Sequence, residues 1–243
     1  MPPTEKTRQL HNFIVANLPR MERSGGSGGH PHFPTFELTA RDYLQFAENE
    51  LLGTSPQSRI NCVSHLKRAA ECQMDTFLHV CNLHAIVQRA NLGFDAKLNF
   101  LHDIALFSSR SLARFNNIRN RIEHEYHNPQ LADLEVFYDL VQAFVSVVES
   151  AILLFANSTE TDYDIYPSPN NFSRRIGVFV IEYQADSPCI RTKWDIEHRT
   201  TQTSVVPTER EDFAFYFKVF VLLARRDCFR GDQFILAQLG GAG

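Results

Sequence analysis

The chain has 243 residues, of which 44% are hydrophobic and 21% charged, and a formal net charge of −4. That length and mix allow a sizeable buried core, as one full domain with a smaller companion, and exclude wholesale disorder. The weakly negative balance also excludes a generally basic nucleic-acid coat, so any contact with RNA has to come from a local patch.

The N-terminus, MPPTEKTRQLHNFIVANL, lacks the apolar core and cleavage site of a signal peptide, and residues 5–19 read as a short helix. SGGSGGHPHFP follows as a flexible break of glycine and proline, so residues 1–34 are expected to form a helix and a linker. His30 and His32 in that break have no companion ligands and read as linker residues. The longest apolar blocks, such as AFYFKVFVLLA, fall short of the ~20 residues that span a bilayer. The expectation is a cytoplasmic protein with no membrane partner.

From residue 35 the periodicity is helical. Thr39 is a fitting N-cap for ARDYLQFAENELL, with Tyr43, Phe46, Leu51 and Leu52 as an inward stripe ending at Gly53. Ser55 and Pro56 open a longer helix, in which Ile60, Val63, Leu66, Ala70, Met74, Phe77 and Leu78 recur at spacings of three and four. A shorter helix over about Ala96–Leu106 leads to a fourth from Arg110 to Tyr126, which Pro129 closes. LADLEVFYDLVQAFVSVVESAILLFA makes a fifth, apolar enough to be central. Nothing between 38 and 157 alternates with the period of a strand, so residues 35–158 are expected to be a helical bundle.

NSTETDYDIYPSPNNFSRR reads as a linker by its Ser, Thr, Asn and Pro content. IGVFVIEYQ is then β-branched and aromatic, and CIRTKWDIEHRT alternates Ile190, Thr192, Trp194, Ile196 and His198 on one side, which predicts a hairpin with SPC in its turn. Thr208 and Glu211 have the spacing of a capping box, ahead of a helix with Phe213, Phe217, Phe220, Val221 and Ala224 on a broad apolar face. Residues 159–243 therefore read as a small α+β C-terminal region, a β-hairpin plus a helix. The fold class expected for the whole chain is mainly α, a helical bundle followed by that appendage.

Cys62, Cys72, Cys81, Cys189 and Cys228 are odd in number, widely spaced and without a CxxC pair, so they read as reduced thiols. No HExxH motif or cluster of carboxylates occurs, and Glu123 with His127, four apart, is insufficient for a metal site. No cofactor and no metal are expected.

Between Ser108 and Arg121 there are four arginines, Arg110, Arg114, Arg119 and Arg121, and no acidic residue. On a helix, Arg110, Arg114 and Arg121 fall within about 40° of one another, with His124 on the neighbouring edge and Phe115, Ile118, Ile122 and Tyr126 on the opposite side. Such a stripe suits a phosphate backbone, and its structural alternative is a solvated cationic face. Arg121 and Glu125, four apart, also have the spacing of a surface pair, and His124 suits a helix C-terminus.

RNRIEHEY, residues 119–126, orders these side chains as Arg, Asn, three residues, His, one residue and Tyr. This resembles the Rx4HxY form of the HEPN family's catalytic motif, and the blocks HLKRAAECQMDTFL, LNFLHDIAL and NIRNRIEHEYHNP resemble HEPN bundles in wording and order. The resemblance covers about residues 36–158. It implies a helical bundle that dimerises, and a metal-independent endoribonuclease of the toxin or defence-effector kind. Arg119 and His124 would be the catalytic pair, with Asn120 beside them, Arg110, Arg114 and Arg121 binding RNA, and Tyr126 the motif tyrosine. In family toxins paired with a nucleotidyltransferase-type antitoxin, that tyrosine receives adenylate groups. The partners so implied are RNA, a second copy of the chain, and such an antitoxin or another regulatory protein. Arg121 and His127, with five residues between them, satisfy a looser form of the motif. The alternative function is a non-catalytic HEPN-like module for nucleotide or RNA binding or for dimerisation. The C-terminal region departs from the minimal HEPN pattern.

Five positions on a helix turn about 140° beyond a full revolution, so Arg119 does not stack beneath His124. Convergence requires the long arginine to reach round a helix end, or two copies to face each other across a symmetry axis.

Overall fold

The computed structural model of the chain describes residues 3–107, 130–157, 159–169, 171–229 and 231–240. Its contacts gather into two compact units. One comprises Met1–Pro31, Asp103–Leu106 and Leu153–Gly243, and the other comprises His32–His102 and Phe107–Ile152.

The first unit is built on a sheet. Thr4 caps helix α1 (Glu5–Asn17) by accepting from the Thr7 backbone N–H at 3.2 Å. A single 3₁₀ turn, Leu18–Arg20, leads into strand β1 (Met21–Ser27). Strands β2 (Glu160–Ile165), β3 (Gly177–Gln184), β4 (Cys189–Ile196) and β5 (Arg199–Val205) follow, and the five pair antiparallel in the order β1-β2-β3-β4-β5. One face buries Tyr163, Ile165, Phe179, Ile181, Tyr183, Ile190 and Trp194. Against it pack α1 and helix α7 (Arg210–Ala224), and α8 (Gln233–Gly240) packs on α7. The Phe13 ring stacks on Trp194 at 4.4 Å and on Phe179 at 5.1 Å, and Phe217 meets Tyr183 at 5.2 Å. Burying each such ring is worth about 1.5–3 kcal/mol, which makes this aromatic layer the main hold on the unit.

The expectation of a mainly α chain with a two-stranded appendage is therefore corrected: the protein is α+β, with a five-stranded antiparallel open sheet. Of the three strands missed, β5 continues past the end of the expected hairpin, and β1 and β2 overlap segments read as linkers. In ETDYDI, Thr161, Tyr163 and Ile165 are buried and Glu160, Asp162 and Asp164 are half-buried on the other face, a period-two pattern written in β-depleted acidic residues. In MERSGGS the glycines are what the pairing needs. A Cβ on Gly25 would lie 2.9 Å from Asp162 Oδ2 and one on Gly26 2.5 Å from Glu160 O, next to a bulge between Arg23 and Gly25.

Two further expectations change here. CIRTKWDIEHRT is not one strand, because Glu197 and His198 adopt φ of 50° and 66° and form a tight hairpin turn between β4 and β5. Helix α7 begins without the Thr208–Glu211 box, since its cap residue is Glu209, whose Oε2 accepts from Val206 N–H at 3.1 Å. The buried face of Phe213, Phe217, Phe220, Val221 and Ala224 is as expected.

The regular structure of the second unit is helical among the described residues: α2 (Ala40–Leu51), α3 (Pro56–Val80), α4 (His84–Arg89), α5 (Phe94–Asp103) and most of α6 (Leu131–Asn157). Thr39 and Asp42 close a reciprocal capping box, and Ser55 caps α3 with Pro56 behind it. The α2 stripe is phased differently from expectation. Ala40, Leu44 and Ala47 are the buried residues, while Phe46 and Leu52 are exposed, because small alanines let α2 lie close on α3. Helix α4 was not expected. It starts after Asn82, whose φ of 51° ends α3. Helix α6 buries Leu134, Val141, Phe144, Val145 and Val148, and its segment Leu131–Phe155 is long and apolar enough to cross a membrane by length and composition. That corrects the reading that every apolar block is too short.

Candidate functional site

The residues expected to carry chemistry, Arg119, Asn120 and His124, lie outside the described residues. So do the expected RNA-binding residues Arg110, Arg114 and Arg121, the motif Tyr126, and Glu123, Glu125 and His127. The structure describes the helices on either side of them. Helix α5 ends at Asp103, and the chain turns at Ala105, with φ of 56°, so that the Phe107 N–H reaches Leu101 O at 3.2 Å. The Phe107 ring meets Phe144 of α6 edge-on at 4.8 Å. On the other side, Gln130 O accepts the Leu134 N–H at 3.3 Å as α6 begins.

Both flanking helices are fixed to the α2–α3 pair. Lys97 of α5 forms an ion pair with Asp75 of α3 at 2.6 Å. Arg41 of α2 donates from Nε and Nη2 to the two carboxylate oxygens of Glu149 of α6, at 2.9 and 2.5 Å, and that bond to Glu149 raises the arginine's pKa. The described helices before and after the motif segment thus belong to one packed set, to which the half-exposed Arg41–Glu149 pair adds little.

Each unit has a cleft among the described residues. In the helical unit, Phe36, Leu38, Tyr43, Arg68, Cys72 and Asp75 line one of about 550 Å³. In the sheet unit, Glu22, Arg23, Tyr163, Arg226, Asp227 and Asp232 line one of about 470 Å³. Arg226 there is a fastening. Its Nε and Nη2 hold Asp232 at 2.7 and 2.9 Å, Nη1 donates to Met21 O at 2.5 Å, Nη2 also donates to Leu18 O at 2.9 Å, and the guanidinium sits 5.7 Å from the Tyr163 ring centroid.

Sequence reading passed over one arrangement in the helical unit. His79, near the end of α3, and His84, at the start of α4, stack at 4.1 Å, with Phe36 edge-on to His79 at 5.7 Å. Only the αL turn at Asn82 brings them together, and a spacing of five residues carries no signal for it. Burial, then the neighbouring His79, lowers the pKa of His84, with Asp75 opposing. Among the described residues no set of three His, Cys, Asp or Glu side chains is placed to hold a metal ion. The five cysteines form no disulfide; burial pushes the Cys62 thiol up to about 12 and raises Cys72 and Cys81 as well, which disfavours the thiolate in all three.

Comparison of the chain with models of known protein families, with curated proteins and with solved structures returns no match.

Proposed function

We propose that the protein is a metal-independent endoribonuclease of the HEPN type, with Arg119 and His124 as its catalytic pair. The observation that carries the proposal is the segment RNRIEHEY, set in the chain's most arginine-rich stretch and flanked by helices of an α-helical unit. RNA brings its own nucleophile. The 2′-oxygen attacks the adjacent phosphorus, a P–O2′ bond forms, the P–O5′ bond breaks, and the products are a 2′,3′-cyclic phosphate and a 5′-hydroxyl.

An unperturbed imidazole titrates near 6.5, so a histidine suits this proton transfer: His124 takes the 2′-hydroxyl proton, and the departing 5′-oxygen gains one from water or from the imidazole of a second copy. Arg119 donates paired hydrogen bonds to the phosphate oxygens as charge builds on them, and Asn120 orients the phosphate or the imidazole. Arg110, Arg114 and Arg121 hold the flanking backbone. Pairing of two copies would bring these groups together despite the five-residue spacing. A nucleotidyltransferase-type antitoxin that adenylates Tyr126 is the regulator this reading proposes.

Expression of the wild-type chain beside His124→Ala tests the proposal. Wild type should arrest growth and fragment cellular RNA, and the variant should lose RNA cleavage by about 10²- to 10⁴-fold at unchanged protein level. Equal toxicity in both, or none in either, would instead favour a non-catalytic RNA-binding module.

A further inference from the structure

We infer that the free edge of strand β5 pairs with the same edge of a second copy, joining two five-stranded sheets into one of ten strands. This rests on the sheet unit alone and is independent of the ribonuclease reading.

An open antiparallel sheet has two edges, and the two here are treated differently. At β1 the chain is bulged between Arg23 and Gly25, which breaks the regular register of that edge. Bulges and covering side chains are how proteins close an edge to foreign strands. Strand β5, RTTQTSV, has no bulge against β4 and no proline.

The register fixes which backbone groups face outward. The two-residue turn at Glu197–His198 makes Ile196–Arg199 a hydrogen-bonded pair, as are Trp194–Thr201 and Thr192–Thr203 in alternation. The N–H and C=O groups of Thr200, Gln202 and Ser204 therefore point away from β4. The Ser204 carbonyl confirms the direction, because it accepts from Lys6 Nζ at 3.1 Å from outside the sheet. It retains a second lone pair. No hydrogen bond to the outward groups of Thr200 or Gln202 occurs among the described residues, and both side chains are exposed.

The occupant follows from self-complementarity. Antiparallel pairing about a two-fold axis at Gln202 sets Gln202 against itself, Thr200 against Ser204 and Thr201 against Thr203, so amides and hydroxyls meet and no charges lie directly opposite. One strand further out, Asp195 neighbours Thr200 and Arg191 neighbours Ser204. The junction thus aligns Asp195 of each copy with Arg191 of the other in two rows, against one row that aligns Lys193 with Lys193. A copy of this strand fits better than an arbitrary extended peptide, which would have to bring its own matching pattern.

Sedimentation of the full chain over a concentration series measures the association. Proline is tolerated on an edge strand where the N–H faces solvent, so Gln202→Pro should leave the fold intact and remove the central bond from each copy. Its dimer dissociation constant should rise by about tenfold or more, with circular dichroism unchanged and with melting unchanged at concentrations where both chains are monomeric. Gln202→Lys and Gln202→Glu should each weaken self-association, and an equal mixture of the two should restore it. This charge pair decides the matter if the proline variant does not fold. A wild-type chain that stays monomeric, a Gln202→Pro dimer of unchanged strength, or a Lys/Glu mixture no tighter than its parts would overturn the inference.

Discussion

Burial sets the behaviour of the two shifted histidines of the helical unit. His84, stacked on His79 and facing Asp75 and Lys97, and His65, set against Phe46 with Arg68 and Glu50 near it, both have lowered pKa values, with burial the leading cause in each. In the unfolded chain an imidazole titrates near 6.5. Below that value the unfolded state binds protons that the folded state refuses. The stability these groups provide is thus complete above about pH 6.5 and is lost as pH falls through their lower folded values. The chemical-denaturation midpoint should drop on acidification through this window, and the drop should be shallower in His84→Asn. A midpoint that is flat with pH, or a slope that His84→Asn leaves unchanged, would show that the stacked pair is not the source.

At the level of elements, β1 depends on residues whose virtue is what they lack. Gly26 lies so close to β2 that a methyl group would meet the Glu160 carbonyl at 2.5 Å, a backbone atom that cannot swing aside. Gly26→Ala should destabilise the sheet unit by about 1–3 kcal/mol, read as a fall in denaturation midpoint. No change would mean that β1 contributes little to the unit. The same residues explain what the sequence hides. Glycine and serine have no strand signature, and the acids of β2 are depleted in strands, so both segments read as linkers until hydrogen bonding to a neighbour decides their state. Signals that act within one turn were legible. Thr39 with Asp42 and Ser55 with Pro56 sit at their helix starts, and the apolar face of α7 is buried as its spacing predicts. Helix phase was less legible, since Ala40 and Ala47 are inward only because α3 lies against them.

For the whole molecule, a sheet unit that draws on both ends of the chain accompanies a helical unit formed from its middle. The proposed catalytic segment, residues 119–126, falls in sequence between α5 and α6, and its guanidinium, amide and imidazole, within six positions, are proposed from the resemblance of RNRIEHEY to the HEPN motif. How Arg119 and His124 would meet is not legible, because on a helix five positions would set them on different sides, and convergence would need a helix end or a second copy.

Incubation of the purified chain with RNA in excess chelator, beside the same RNA carrying a single 2′-deoxy sugar at the cleaved position, tests the catalytic proposal most directly. The first RNA should give 2′,3′-cyclic phosphate and 5′-hydroxyl ends, and the second should show no cut at that position. Equal cutting of both, or cutting that the chelator abolishes, would contradict it.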